Sequence, residues 1–196
     1  MGNILQELNA EMNQLVAQTR ASLVRITNGR SGAGAGTIWS SEGLIITNAH
    51  VVQRAQPSVV LPGGRSLPAR VAAYDEKRDL ALLQVKASGL PAIELGDSRD
   101  LQAGEMVFAV GHPWGVAQAV TAGVIIGLGG DMPEMAATRR EWLMVSLVLR
   151  PGNSGGPLVN TAGRLLGVNT IMTGPAVGGA VPIHVIREFL REATLN

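Results

Sequence analysis

The sequence predicts an all-β fold of two six-stranded antiparallel β-barrels, with one helix at each end of the chain. From Ser22 onward, short β-branched or alternating apolar runs are separated by Gly, Pro, Asn and Asp, a rhythm typical of sandwiches and barrels. Six such runs precede residue 87 and six follow residue 105, which is the number that two small barrels need. With 196 residues, of which 46% are hydrophobic, the chain can bury a sizeable core.

The boundaries of these runs divide the chain after the N-terminal segment 1–21 into four parts. The body, 22–196, consists of a first barrel at 22–86, a connection at 87–105, a second barrel at 106–181 and a closing helix at 182–196. The predicted strands of the first barrel are 23–27, 35–40, 43–47, 58–61, 66–74 and 80–86. Those of the second barrel are 106–111, 118–127, 141–148, 156–159, 165–172 and 178–181. The connection is marked by the turn-forming residues Pro91, Gly96 and Gly104.

Both ends of the chain carry helical patterns. The N-terminal segment is low in glycine, and its apolar residues at helical spacing are Leu5, Leu8, Met12 and Leu15. This apolar stripe either packs on the body of the protein, which we favour because such stripes usually face their own core, or residues 1–20 mediate homo-oligomerisation or docking of a protein partner. The closing helix has Pro182 in its first turn, where the missing N–H is tolerated, followed by the apolar residues Ile183, Val185, Ile186 and Leu190.

Composition excludes several classes of function. The net charge of +1 gives no electrostatic reason to expect a nucleic acid or a membrane surface as partner. The absence of cysteine excludes thiol catalysis, a disulfide scaffold and Cys-type zinc sites, and the sequence indicates no other metal site and no cofactor. The apolar runs are too short to span a bilayer. No basic segment followed by an apolar run stands at the N-terminus, so we expect either a cytoplasmic protein or an exported one whose signal has been removed.

The segment Gly152-Asn153-Ser154-Gly155-Gly156-Pro157 has the pattern of a nucleophilic serine on a glycine turn. Glycines allow backbone conformations in which consecutive N–H groups point at one place. A serine hydroxyl there can attack a carbonyl group while those N–H groups bind the oxyanion that forms. A serine in a glycine-rich segment more often belongs to an ordinary turn, so the hypothesis depends on partners elsewhere in the chain.

Two partners stand upstream in suitable contexts. His50 follows an apolar strand, and Asp79 stands just before a strand with a buried pattern. Histidine is the usual general base near neutral pH, and a buried carboxylate can fix its tautomer. Taken singly, His50 could be a core histidine and Asp79 a cap at the start of a strand. Together with Ser154 they follow the order His, Asp, Ser of the chymotrypsin class, which favours a catalytic triad.

Specific motifs around these residues resemble the HtrA/Deg branch of the trypsin-like serine proteases. The segments that carry the resemblance are 47–52 (Thr-Asn-Ala-His-Val-Val), 79–83 and 151–160, with further matches at 95–98, 110–115 and 166–170. The likeness runs from about residue 22 to about residue 186. It implies two barrels with the triad in the cleft between them, and endopeptidase hydrolysis of unfolded or extended polypeptides.

The expected mechanism is acyl transfer from a peptide to Ser154, with His50 as the base and Asp79 as its ionised partner. The oxyanion hole is assigned to the backbone of Gly152, Asn153 and Ser154, with the N–H groups of the first and last as donors. By position in the family, the S1 pocket is assigned to Val148, Leu149, Asn169, Thr170 and Ile171. No carboxylate stands at its base, so we expect small or medium aliphatic P1 residues rather than Lys or Arg.

The sequence also departs from the family pattern. Arg150 replaces an asparagine of many relatives; it either lines the S1 entrance and favours acidic groups, or extends its stem over apolar surface with the charge in water, which we favour. His112 is treated as a loop residue, and 128–141 as a surface loop that senses activating ligands in relatives. The chain ends after the closing helix, so we expect no PDZ domain, and the family's trimer contacts do not carry over.

Two functions therefore remain open from the sequence. One is an active serine endopeptidase. The other is a peptide-binding or chaperone-like module that keeps the protease fold but is latent, inactive or activated only by a partner.

Overall fold

The computed structural model describes residues 2–28, 33–52, 56–129, 141–174 and 176–195. As predicted, the described residues form two closed six-stranded antiparallel barrels. The first comprises β1 (Leu23–Thr27), β2 (Ala33–Ile38), β3 (Leu44–Thr47), β4 (Ser58–Val60), β5 (Ser66–Asp75) and β6 (Leu80–Val85). The second comprises β7 (Met106–Gly111), β8 (Ala119–Leu128), β9 (Leu143–Ser146), β10 (Pro157–Asn160), β11 (Leu165–Gly174) and β12 (Val177–Pro182).

The two barrels have the same topology. The strand order is β1-β2-β3-β6-β5-β4 in the first, and the second follows the same order with β7 to β12. Closure leaves neither sheet with a free edge. Helical segments are α1 (Gly2–Ala21), the short α2 (Ala49–Val52), a 3-10 turn at Pro113–Gly115 and α3 (Ile183–Leu195). The part of the predicted sensing loop at 130–140 lies outside the described residues.

Each barrel is filled by alternating apolar side chains, and a third cluster joins the barrels to α3. The first core contains Val24, Ile26, Ile38, Ile45, Leu83 and Val85. The second contains Val107, Ile125, Leu143, Val145, Leu158 and Leu166. The joining cluster contains Ile46 and Leu80 from the first barrel, Met144 and Val168 from the second, and Ile186 and Phe189 from α3. Burial of each large apolar side chain contributes about 1.5–3 kcal/mol, so this shared cluster fixes the two barrels against each other.

Only the C-terminal half of α1 packs on the body. Leu15 is buried, with Met12 beside it, against a cluster of the second barrel and α3. Leu5 and Leu8 are 65% and 51% exposed. The packing predicted for the whole stripe is therefore wrong for these two residues, because the helix extends beyond the surface that could cover them. None of the described helices has the length and apolar composition needed to cross a bilayer.

Backbone contacts join the barrels at the loop before β10. The Ala35 N–H donates to the Ser154 carbonyl oxygen (2.8 Å), and the Thr47 hydroxyl donates to the Ala35 carbonyl oxygen (2.7 Å). Gly155, at φ +85°, lies so close to these groups that a Cβ would be 2.0 Å from the Ala35 oxygen and 2.2 Å from the Thr47 hydroxyl. Only glycine lets the second barrel approach the first at this point.

We predict that Gly155→Ala lowers the free energy of unfolding by about 2–5 kcal/mol, because it adds a steric clash to an unfavourable backbone angle. Gly104→Ala is the matched control: its φ is +93°, but no described atom lies within 4 Å of the Cβ position. The control variant should lose only about 1 kcal/mol. Urea denaturation measures both values. Equal losses would show that the backbone angle, and not the contact between barrels, sets the effect.

Candidate active site

The topology of the first barrel brings His50 and Asp79 together. Strands β3 and β6 are antiparallel neighbours, with Thr47 opposite Ala81. The end of β3 therefore lies beside the start of β6. His50 follows β3 in the first turn of α2, and Asp79 immediately precedes β6. Ser154 comes from the second barrel, in the loop between β9 and β10.

His50 and Asp79 form a paired contact. The Nδ1 atom of His50 lies 3.0 Å from Oδ1 and 2.9 Å from Oδ2 of Asp79, and the His50 backbone N–H donates to Oδ1 at 3.1 Å. A carboxylate on Nδ1 selects the tautomer in which that nitrogen carries the proton, leaving Nε2 as the free acceptor. The imidazole side chain is 49% exposed, so Nε2 can be reached from outside.

Asp79 is buried and held from several sides. Its φ is +56°, a left-handed conformation that short polar residues tolerate. The Asn48 amide donates to its carbonyl oxygen at 3.0 Å, and the Thr170 hydroxyl donates to Oδ2 at 2.5 Å. Burial alone would raise the pKa of Asp79, but the hydrogen bonds from His50 and Thr170 together hold that pKa below its usual value. The carboxylate is therefore ionised at neutral pH.

The Ser154 hydroxyl donates to the Thr170 carbonyl oxygen at 3.0 Å and makes no hydrogen bond with His50. Thr170 thus contacts the acid through its hydroxyl and the serine through its carbonyl group. A change of serine rotamer is a local event on the picosecond to nanosecond scale. In ligand-free sites, catalytic hydrogen bonds are often long or poorly aligned and tighten when substrate is bound.

The residues before Ser154 form a β-turn that orients backbone donors. The Asn153 N–H donates to the Arg150 carbonyl oxygen at 2.8 Å, and Gly152 has φ +104°. A proline followed by a glycine with positive φ is the signature of a type II turn. No side chain is possible at Gly152, because a Cβ would lie 2.2 Å from the His112 carbonyl oxygen.

Neighbouring backbone groups fix the peptide planes of this turn. The Trp114 N–H donates to the Pro151 carbonyl oxygen at 3.1 Å, and the His112 N–H donates to the Gly152 carbonyl oxygen at 2.9 Å. In a trans peptide the N–H points away from the C=O, so holding the Pro151 oxygen turns the Gly152 N–H to the opposite side. The N–H groups of Gly152 and Ser154 have no acceptor among the described residues.

Asn153 is not one of the two predicted donors, and its polar groups are used inside the turn. Its N–H is occupied by Arg150, and its side-chain oxygen accepts from the Arg150 N–H at 2.9 Å. Both groups close the turn, so Asn153 shapes the candidate oxyanion site instead of donating to it. The sequence had given His112 and Trp114 no role; their contribution is through the backbone, which residue types do not reveal.

The predicted S1 residues differ in how far their side chains are buried. Asn169 has 0% exposure and its amide donates to the Pro157 carbonyl oxygen, while the Thr170 hydroxyl is bonded to Asp79. Their side chains are therefore used within the protein, so only their backbone could line an S1 pocket, and the S1 assignment stays a prediction. Leu149 is buried against Gly178, Val148 is 37% exposed, and the side chain of Ile171 lies outside the described part of the structure.

Arg150 stacks on an exposed aromatic ring. Its guanidinium carbon lies 4.6 Å from the centroid of the Trp114 ring, a cation–π arrangement. This contact agrees with the alternative in which the Arg150 stem covers apolar surface. It also keeps Trp114, which has φ +52°, beside the Pro151 carbonyl group that its own N–H holds.

A second Ser-His-acid cluster lies elsewhere. The Ser98 hydroxyl is 2.8 Å from Nδ1 of His184, and Nε2 of His184 is 3.0 Å from Oε2 of Glu141. Ser98 is almost completely buried and also accepts from the His184 N–H at the start of α3. A buried hydroxyl that satisfies a helix terminus is not placed to attack a substrate, so this cluster is structural.

Comparisons with known proteins show which family this chain is similar to. The sequence profile of the trypsin-like peptidase domain matches residues 34–168. Putative serine protease HhoB of Synechocystis sp. is 41% identical over 158 residues, covering 78% of this chain and 38% of that protein. Serine protease HTRA1 of Xenopus tropicalis is 38% identical over 167 residues, covering 83% and 36% respectively. The chain thus spans less than half the length of these curated relatives.

The structural match extends over nearly the whole chain. The crystal structure of the serine endoprotease from Yersinia pestis superposes with a TM-score of 0.83 and 33% sequence identity. The superposition covers 92% of this chain and 65% of that one. The chain therefore belongs to the trypsin-like peptidase family, and its relatives there are serine proteases of the HtrA type.

Proposed function

We propose that this protein is a serine endopeptidase that hydrolyses unfolded or extended polypeptides, with His50, Asp79 and Ser154 as its catalytic triad. The observation that carries the proposal is the hydrogen-bonded chain from Ser154 through Thr170 to Asp79 and His50. This hydrogen-bonded chain supports the proposal because it links a candidate nucleophile of the second barrel to a candidate acid and base of the first; acyl transfer further requires the Ser154 hydroxyl to turn from Thr170 to His50.

In the first step, Nε2 of His50 takes the proton of the Ser154 hydroxyl as Oγ bonds to the peptide carbonyl carbon. The negative charge moves to the carbonyl oxygen, where the N–H groups of Gly152 and Ser154 donate to it. Each such donor lowers the barrier by about 3 kcal/mol. Asp79 remains ionised and stabilises the imidazolium.

In the second step, His50 gives its proton to the amide nitrogen, the C–N bond breaks and an acyl-enzyme remains. Water then attacks the ester carbon while His50 takes one of its protons. Return of that proton to Ser154 releases the new carboxyl end of the peptide, whose own proton passes to the departed amine or to solvent. Atoms and charges balance without a metal ion or cofactor.

The alternative function is a latent or peptide-binding module with the same fold. The free donors of Gly152 and Ser154 favour the enzyme, because a distorted oxyanion site would prevent turnover even with the three side chains present. The exposed residues Leu5 and Leu8 on α1 are compatible with a homo-oligomer or a protein partner, which remains a proposal.

A fluorophosphonate probe should label Ser154 in the wild-type protein, and Ser154→Ala should abolish both labelling and cleavage of an unfolded protein. Ser98→Ala is the matched control, since Ser98 also contacts a histidine but is buried. It should leave labelling intact. Mass spectrometry of the labelled peptide identifies the site. Full proteolysis by Ser154→Ala would refute the proposal, and peptide binding without labelling would favour the latent module.

We predict that Thr170→Val lowers kcat about tenfold or more with little change in KM, because Asp79 loses a charge-assisted hydrogen bond of about 1.5–3 kcal/mol. Thr170→Ser should restore most of kcat, since it returns the hydroxyl. Steady-state kinetics on a peptide substrate measures both values. An unchanged kcat in Thr170→Val, or a loss confined to KM, would show that the hydroxyl does not act through the acid.

For specificity, we propose that small or medium aliphatic P1 residues are preferred, since no acidic side chain occurs in 148–150 to pair with Lys or Arg. Peptide substrates with Ala or Val at P1 should be cleaved faster than the same peptides with Lys or Arg. Apolar pockets discriminate by size only modestly, so differences of about 10–200-fold are expected. Faster cleavage after basic residues would contradict this assignment.

A further inference from the structure

The turn between β5 and β6, which carries the proposed acid Asp79, is fastened by contacts outside the active site. Asp75 ends β5 and pairs with Leu80, the first residue of β6, so residues 76–79 connect the two strands. Oδ1 of Asp75 accepts a hydrogen bond from the Arg78 backbone N–H at 2.9 Å, which closes the turn. Asp79 follows Arg78 directly, so the position of its carboxylate depends on the course of the backbone through this turn.

The side chain of Arg78 joins the turn to α3. Its Nη1 donates to Oε2 of Glu192 at 2.7 Å, and its Nη2 donates to Oε1 of the same carboxylate at 2.9 Å. Two parallel hydrogen bonds between one guanidinium and one carboxylate are both strong and directional. Nη1 also donates to Oδ2 of Asp75 at 3.0 Å. The guanidinium therefore connects the end of β5 to the helix that packs on both barrels.

This set of contacts differs from an isolated ion pair on the surface. The Arg78 side chain is 28% exposed, and a third carboxylate, that of Glu188, lies 3.9 Å from Nη2. The hydrogen bond from Arg78 is the main cause that holds the pKa of Glu192 below its usual value, so Glu192 is ionised at neutral pH. Exposed ion pairs usually contribute little to stability, but bidentate geometry and several connected charges are the conditions in which they matter.

The backbone of Asp79 needs support because its φ is +56°. A residue other than glycine keeps such a conformation only where the surrounding structure holds it. The Asn48 amide holds the carbonyl oxygen of Asp79, and His50 and Thr170 hold its carboxylate. These contacts act on the carbonyl group and the side chain, and none of them acts on the chain that precedes Asp79. The side chain of Arg78 supplies a restraint on that side.

We propose that Arg78, held by Glu192 and Asp75, is a positioning residue that keeps the carboxylate of Asp79 against Nδ1 of His50. The inference rests on the proposed role of Asp79 in the triad and extends it to α3. Without the guanidinium contacts, the turn would reach conformations in which the carboxylate lies farther from Nδ1. A displacement of about 1 Å caused far from the reacting atoms can lower a rate about 100-fold, so a partial loss of positioning is measurable.

Arg78→Met keeps the apolar stem and removes the three guanidinium hydrogen bonds. We expect kcat on a peptide substrate to fall about threefold to tenfold with little change in KM, because the acid is displaced and the substrate contacts are not. Glu192→Gln should lower kcat less. The double variant should be no slower than Arg78→Met alone, since both residues act through one contact.

Arg191→Gln is the matched control. Arg191 also lies on α3 and forms an ion pair, but its partner is Glu188 of the same helix, at 4.0 Å, and its side chain is 72% exposed. Removing its charge leaves the contacts between Arg78 and Glu192 in place. This variant should change kcat less than twofold.

The tautomer of His50 gives a readout that a purely structural role would not change. Long-range ¹H–¹⁵N correlation spectra of the protein with ¹⁵N-labelled histidine, at about pH 9 where an ordinary histidine is neutral, show which ring nitrogen carries the proton. The His50 signals are identified by their absence in His50→Gln. In the wild type and in Arg191→Gln the proton should be on Nδ1, whereas Arg78→Met should give a mixture with the Nε2–H form.

A lower thermal stability of Arg78→Met with an unchanged His50 tautomer would overturn the proposal, and so would equal effects of Arg78→Met and Arg191→Gln on kcat. If Arg78→Met does not fold, Glu192→Gln provides the same two measurements from an exposed position on the helix. A wild-type protein that cleaves no substrate would contradict the proposed function, while the tautomer spectra would still decide whether Arg78 positions Asp79.

Discussion

The chemistry of the site depends on both barrels through the carboxylate of Asp79. It accepts hydrogen bonds from His50 of the first barrel and from Thr170 of the second. A buried charge without donors would take up a proton or destabilise the fold. The ionised state of Asp79, and with it the tautomer of His50, therefore depends on how the barrels pack.

The packing on which the ionised state of Asp79 depends involves residues outside the site. The apolar cluster shared by both barrels and α3 fixes the barrels against each other, and the close approach at Gly155 sets their separation at the serine loop. Only a residue without a Cβ permits the Ala35 N–H to reach the Ser154 carbonyl oxygen. The position of the nucleophile and the donors on the acid thus follow from the same interface, which links the stability of the fold to the geometry of the site.

The sequence predicted the barrels, and it singled out the proposed triad residues, because these signals are local: alternation with period two, and a glycine motif around the serine. The sequence could not predict in which direction the side chains of β11 point. The register between β11 and β12 shifts between Asn169 and Ile171, and such an irregularity redirects the residues around it. Thr170 consequently contacts Asp79, where position alone had placed it in the S1 wall. Likewise, the helical pattern of α1 predicts an apolar stripe but not how far the surface of the barrels extends along the helix. It could not show that Leu8 lies beyond that surface.

Under the proposed mechanism, the contact between the Ser154 hydroxyl and the Thr170 carbonyl determines what fraction of the protein has its serine hydroxyl free to approach His50. A neutral hydrogen bond of this kind contributes about 0.5–1.5 kcal/mol. Its loss lowers the population of the rotamer in which the hydroxyl faces His50 by about tenfold at most. The donors of Gly152 and Ser154 need no comparable change, because the preceding carbonyl groups in their peptide planes are already held, that of Pro151 by the Trp114 N–H and that of Asn153 by the Gly156 N–H. The turn therefore presents its two donors without a further backbone change, and under the proposed mechanism the serine hydroxyl must still leave the Thr170 carbonyl for His50. This is the physical argument for an enzyme over a latent module.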